Sequence, residues 1–287
     1  MKKLPLKEGI YYDISNDDYH ADRTMITKSW LDRVAKTPLH LRQYLDGTTE
    51  KTLALILGSA VDCLVFEPAK FETLFVQGPM IGKTSKAGKE EWADAIKAAA
   101  ASNRTIIESH LKVHHWDNCH KMAEEIMGNA KMREILQEGV GQAVFITQDD
   151  ATGLWVKCKP DWWCDSLADI TDLKTAENAA PFEFARSIAN YRYHIQDAFY
   201  SDIIEKVTGK PHSFKFAVLE KPNKDAEPNR DLMAFYELPE SERNAGRDTY
   251  QSDLAAIAFA YDTGEWPGYS NRVLSIERPR WSQSRDK

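Results

Sequence analysis

TGLWVKCKPDWWCDSLADITDLKTAENAA, residues 152–180, carries the reading that decides the fold. Two strand-like runs, 154–162 and 168–174, flank a polar turn at Asp165 and Ser166. Asp161 stands near the end of the first run in a Lys-Pro-Asp step, and Asp172-Leu173-Lys174 closes the second. Residues two apart on a strand point the same way. Asp172 and Lys174 are therefore expected on one face, with Leu173 turned into the core.

An isolated Asp-x-Lys says little. Behind a second acidic residue on a neighbouring strand it becomes the acid-acid-lysine arrangement of metal-dependent phosphodiester hydrolysis. Carboxylate oxygens hold a hard divalent cation, while the ammonium meets an attacking water or the phosphate.

Working outward on the C-terminal side, residues 181–207 read as one long amphipathic helix. Pro181 fits its first turn and Gly209 the position just past its end. Phe184, Ile188, Ile195, Phe199 and Ile203 form the buried stripe. Gln196 and Tyr200, four apart, share a face; they read either as ordinary core-helix residues or as the border of the acidic site. Residues 214–219 and 232–238 read as strands across a charged loop, 248–261 as a helix, and Trp266-Pro267-Gly268-Tyr269 as an aromatic turn.

On the N-terminal side, residues 143–147 open the sheet, with Gln142 at the strand start and a turn over 148–153. The three strands from 143 to 174 are expected to form a meander. Residues 1–22 are polar and turn-rich. Thr27 or Ser29 caps a short helix through Lys36, and Pro38 opens another through Tyr44. Residues 53–66, LALILGSAVDCLVF, form a strongly apolar helix that contains Asp62. A lone carboxylate there is costly, so Asp62 reads as a partly exposed charge, an ion-pair partner or a metal-site residue. Residues 77–90 read as a mobile, lysine-bearing loop; Gly82-Lys83-Thr84 lacks the spacing of a phosphate loop. A helix follows over 91–101, then a mostly helical stretch over 111–137 with a break near Gly128. His110, His114, His115 and His120 lack a His-Glu-x-x-His pattern and read as a polar surface patch.

A chain of 287 residues with 28% charged and 10% aromatic residues has ordinary globular composition. Its net charge of -7 excludes a protein coated in basic surface but not a local basic channel. Cys63, Cys119, Cys158 and Cys164 form no zinc knuckle, and no secretory or membrane-spanning segment is evident. Reduced thiols, a cytoplasmic location and no membrane partner are expected.

The chain also resembles the C-terminal nuclease domain of RecE-type exodeoxyribonucleases (exonuclease VIII), within the PD-(D/E)XK restriction-endonuclease-like superfamily. The resemblance rests on YYDISNDDYH at 11–20, LGSAVDCLVFEPAKF at 57–71, GLWVKCKPDWW at 153–163, ITDLKTAENA at 170–179 and YRYHIQDAFY at 191–200, with EWPGYS near the end. It implies an α/β fold, a restriction-endonuclease-like core with a mixed central sheet flanked by helices. One domain over 1–287 is implied, with a helical N-terminal portion at about 1–137 and the catalytic sheet and helix at about 142–220.

The resemblance further implies Mg2+-dependent degradation of linear double-stranded DNA from 5′ ends, with Mn2+ able to substitute. The product is a 3′ single strand for phage or prophage recombination. Asp161, Asp172 and the Leu173 backbone carbonyl would hold metal, Lys174 would orient the water, and Gln196 and Tyr200 would match the family's Gln-x-x-x-Tyr element. Asp62 stands where the family has histidine, and Gln142 where it has glutamate; both are candidate metal neighbours. A homotetramer and a single-strand annealing protein are the implied partners. The departures keep open a DNA-end-binding recombination accessory protein with weakened catalysis, and a related endonuclease is the more distant alternative.

Overall fold

In the computed structural model, residues 4–47, 52–110, 112–221 and 232–278 are described. Strand β1 (Gly9–Tyr11) and helix α1 (Asn16–Ala21) lie in the stretch read as polar and turn-rich. Ser15 starts α1 by accepting the Asp18 amide hydrogen on its side chain. Helices α2 (Lys28–Val34) and α3 (Pro38–Asp46) follow, the latter with Pro38 in the first turn, as expected, and Thr37 as cap. Thr52 caps α4 (Leu53–Phe66), whose bounds match those read from the apolar run.

Short α5 (Phe71–Leu74) leads into β2 (Phe75–Gln77). The expected loop over 77–90 is shorter than its composition suggests. Ser85 accepts the Gly88 amide hydrogen and starts α6 (Lys86–Ala101) five residues early. After β3 (Thr105–Ile107), the stretch read as helical begins instead with a small hairpin, β4 (Ser109–His110) and β5 (Val113–His114). Helix α7 (His115–Gly128) ends where the break was expected. Asn129 then caps α8 (Ala130–Ile135) by accepting two amide hydrogens. The histidines do not gather: His110 faces Glu108, His114 faces Asp117, and His120 packs on Phe71 and Trp116.

The remaining elements are β6 (Val140–Gly141), β7 (Val144–Gln148), β8 (Trp155–Cys158), β9 (Trp162–Cys164), β10 (Asp169–Ala176), α9 (Pro181–Tyr191), α10 (Tyr193–Thr208), β11 (Ser213–Glu220), β12 (Met233–Glu237) and α11 (Glu240–Thr263). The expected charged loop before β12 falls, at 222–231, outside the described residues. Pro239 precedes α11, and Glu240 and Glu242 favour its N-terminus, so this helix begins eight residues before the expected 248.

The expected meander is corrected. Lys159-Pro160-Asp161 splits the run 154–162, because Pro160 has no amide hydrogen to give a ladder. β8 pairs with β7 in a three-stranded sheet, β1-β7-β8. β9 joins a five-stranded sheet, β12-β11-β10-β9-β6, in which β10 and β11 run parallel and the other pairs are antiparallel. This is a mixed α/β fold with helices against a central sheet.

Alternation along β10 and β11 builds two cores from one sheet. Ile170, Phe214, Phe216 and Val218 pack with Ile195, Phe199 and Ile203 of α10 and with α2 and α11. Leu173, Ala217 and Leu219 on the opposite face pack with α4, α7 and α8. Helix α11 lies directly on α10: a Cβ on Gly246 would stand 2.2 Å from the His194 carbonyl oxygen. All four cysteines are buried free thiols. No helix among the described residues is long and apolar enough to cross a membrane.

Candidate active site

Strand β9 begins only at Trp162, whose partner on β10 is Thr171. Beyond that pair the Asp161 side chain supplies the acceptor that a longer strand would have given. Its Oδ2 accepts the Leu173 amide hydrogen at 2.8 Å. Its Oδ1 accepts the Gln142 side-chain amide at 3.2 Å, and its backbone carbonyl accepts the Gln142 amide hydrogen at 3.1 Å. Gln142 adopts a left-handed conformation, φ 60, just after β6. That bend allows one residue to grip Asp161 by both backbone and side chain.

Asp172 is buried on the α10 face of β10, with its carboxylate held from two sides. Gln196 Nε2 donates to Oδ1 at 2.6 Å, and Lys174 donates to Oδ2. Period-two geometry thus brings Asp172 and Lys174 together, and i,i+4 geometry puts Gln196 and Tyr200 on the side of α10 that meets them. Tyr200 is partly buried, with its ring against Phe214. Burial, followed by neighbours that include Tyr19, Asp172 and Asp161, keeps its phenol protonated well above the usual range.

Electrostatics tie these groups into one cluster. Burial and then the Asp172 charge push Asp161 up to about 7, against the opposing pull of Lys174, the Leu173 amide and Gln142. Burial, then Asp161 and Asp172, likewise raises the Asp62 carboxyl well above its ordinary range. Asp62 is partly buried on α4. For Lys174, burial would lower the ammonium, but Asp172, then Tyr193 and Asp161, override it and hold the side chain protonated far above neutral pH.

Three residues that the sequence reading did not single out also belong here. Lys159 Nζ donates to Asn16 Oδ1 at 2.6 Å, and burial lowers it to about 8 against the pull of Glu67 and Asp161. The Tyr193 ring lies 4.8 Å from Lys174 Nζ. The Lys-Pro-Asp step was a visible signal for Lys159. Asn16 and Tyr193 lay within the stretches 11–20 and 191–200 that carry the resemblance but had no signal of their own, because tertiary packing brings them in.

Among the described residues, no three His, Cys, Asp or Glu side chains converge into a preformed metal cluster. Asp161 and Asp172 are instead occupied by protein donors and by Lys174. The donor chemistry nonetheless fits a hard divalent cation. Only oxygen ligands are on offer, and the charges of Asp161 and Asp172 oppose ionisation of Asp62, as that of Asp172 opposes ionisation of Asp161. Asp161 and Asp172 carry the charge for such an ion, with Asp62 and the neutral carbonyl oxygen of Gln142 beside them.

A PDDEXK-like domain of unknown function (DUF3799) matches residues 27–279. No curated protein matches. The fold is similar to a crystal structure from Eubacterium rectale, of a protein provisionally designated an exonuclease: TM-score 0.62 at 16% identity, covering 96% of this chain and 99% of that one. A phage-related exonuclease from Haemophilus somnus aligns at TM-score 0.31 and 11% identity, over 72% of this chain and 95% of the other.

Proposed function

The chain belongs to the PDDEXK-like DUF3799 family, within the PD-(D/E)XK nuclease superfamily, and on that premise we propose that it is a divalent-metal-dependent exodeoxyribonuclease. The observation that carries this reading is Asp172 held between Lys174 and Gln196, with Asp161 anchored beside it. Asp161 and Asp172, with the Leu173 carbonyl and with Gln142 and Asp62 adjoining, would hold Mg2+ or Mn2+, which supplies phosphate polarisation and charge stabilisation on the leaving oxygen.

The chain's own groups do the rest. Lys174 stays protonated, so it acts as a hydrogen-bond donor and positive charge toward the attacking water or the phosphate, not as a general base. Gln196 fixes the Asp172 carboxylate in place. The Tyr200 phenol keeps its proton and is able to donate to a water or to the DNA backbone.

The finer reading follows the resemblance to RecE-type enzymes. The substrate is linear duplex DNA, degraded 5′ to 3′ in the cytoplasm to leave a 3′ strand for phage or prophage recombination. The enzyme is a homotetramer, and a single-strand annealing protein receives the product. A second reading is an end-binding accessory protein with weak catalysis. It is favoured by Gln142, which brings an amide and no charge to Asp161.

The test uses linear duplex labelled at either 5′ or 3′ ends, beside a covalently closed circle, all with magnesium. Early release of the 5′ label with an intact circle supports the exonuclease. Cutting of the circle makes the protein an endonuclease, and end binding without hydrolysis makes it an accessory protein.

A further inference from the structure

The helix expected over 181–207 breaks at Arg192, which is left-handed at φ 55 and ψ 44. This conformation is unfavourable for a residue with a side chain, and such outliers persist only where the surroundings hold them. Here the guanidinium donates to the Leu31 carbonyl at 2.8 Å and to Asp253 at 2.6 Å. The break has a definite consequence. On a continuous helix residues two apart point in different directions and do not face each other. Across this break Tyr191 and Tyr193 stack, with ring centroids 5.6 Å apart and planes 28° from parallel.

Tyr193 is the inner ring. It stacks on Phe216 at 5.7 Å and lies 4.8 Å from Lys174 Nζ. Tyr191 is the outer ring and is 61% exposed. Its hydroxyl has no hydrogen-bond partner among the described residues. A single exposed aromatic is ordinary. An exposed aromatic stacked in line with the ring beside Lys174, at an anchored and unfavourable backbone bend, is a formed surface leading out of the site.

We propose that Tyr191 is a stacking platform for an unpaired nucleobase within a few nucleotides of the phosphate served by Lys174. The proposal rests on the nuclease reading above and extends it to substrate positioning. The ligand is an unpaired base because bases inside a duplex have both faces covered, whereas a frayed or single-stranded base offers one to an aromatic ring without regard to sequence. Tyr191 is thus a positioning residue: it sets where the strand lies and leaves the bond-breaking groups unchanged.

The test measures binding of a duplex oligonucleotide with short single-stranded ends. The fluorescent base 2-aminopurine occupies each of the first four unpaired positions in turn. Phosphorothioate linkages and calcium in place of magnesium prevent hydrolysis. Wild-type protein, Tyr191→Phe and Tyr191→Trp should quench the probe at the same position. Tyr191→Ala and Tyr191→Leu should lose that quenching and bind roughly tenfold more weakly, within the range of base–aromatic stacking. On unmodified DNA with magnesium, Tyr191→Ala should raise KM and leave kcat near wild type. Wild-type quenching and affinity in both Tyr191→Ala and Tyr191→Leu would overturn the platform while leaving the nuclease reading intact. Failure of wild-type protein to bind the oligonucleotide would overturn both.

Discussion

Changing Gln142 to Glu replaces a donor on Asp161 by a second negative charge at the same place. The two groups are 3.2 Å apart. Two full charges at that separation repel by about 5 kcal/mol at an effective dielectric near 20. The pair avoids this by taking up a proton, which on Asp161, already pushed up to about 7, costs about 0.7 kcal/mol at pH 7.5. Losing the Gln142 amide as a donor to Asp161 costs about 1 kcal/mol more, so the metal-free variant should lose about 2 kcal/mol. For a chain of this size that lowers Tm by about 4–8 °C. A divalent cation reverses the sign by neutralising the added carboxylate. Magnesium should therefore raise the Tm of Gln142→Glu more than that of wild type, and cleavage should saturate at roughly tenfold lower magnesium. Thermal melts in EDTA and in magnesium, with a magnesium titration of cleavage, measure both effects. A variant with the wild-type Tm in EDTA and the wild-type magnesium curve would refute the placement of Gln142 at the metal site.

Two further outcomes follow from the same contacts. Gln196→Ala removes the 2.6 Å donor to a buried Asp172 oxygen; kcat should fall about 10- to 100-fold and stability by about 1–2 kcal/mol, and an unchanged kcat would show that Asp172 needs no such support. Asp161, pushed up to about 7, keeps a proton in the folded state that the unfolded chain releases near pH 4. The folded state thus binds more protons between those values, so metal-free stability should fall as pH rises from about 4 to 7 and level off above. Asp161→Asn should lack that slope, and in wild type magnesium affinity should rise with pH up to about 7, read by calorimetry. A metal affinity flat from pH 5 to 8 would contradict the raised carboxyl.

The sequence made the central pieces legible wherever local periodicity decides position. Asp172, Leu173 and Lys174 alternate as a strand requires, and Gln196 meets Asp172 from a helix on the opposing layer. The bounds of α4 followed from its apolar run. What failed depended on the rest of the molecule. Pro160 was visible, but its sequence could not show that β8 and β9 join different sheets. Arg192 carries no glycine or proline signal, and its bend is held by Leu31 and Asp253, far away in the chain. The hairpin before α7 and the Ser85 cap lay under composition that reads more simply as helix and loop. For Asp62, three readings were open from sequence, and only the packing of α4 against the sheet brings it within the fields of Asp161 and Asp172.

The most direct test compares purified wild type, Asp172→Ala and Lys174→Ala on end-labelled linear duplex DNA with magnesium, with DNA binding measured in parallel. Wild type should release labelled nucleotides. Lys174→Ala should bind DNA with near-wild-type affinity while cleaving at least about 100-fold more slowly, as expected for loss of a charge that acts on the reacting groups. Asp172→Ala should lose cleavage and the magnesium-dependent rise in Tm together. Equal cleavage by all three proteins would contradict the assignment of Asp172 and Lys174 to the reaction centre.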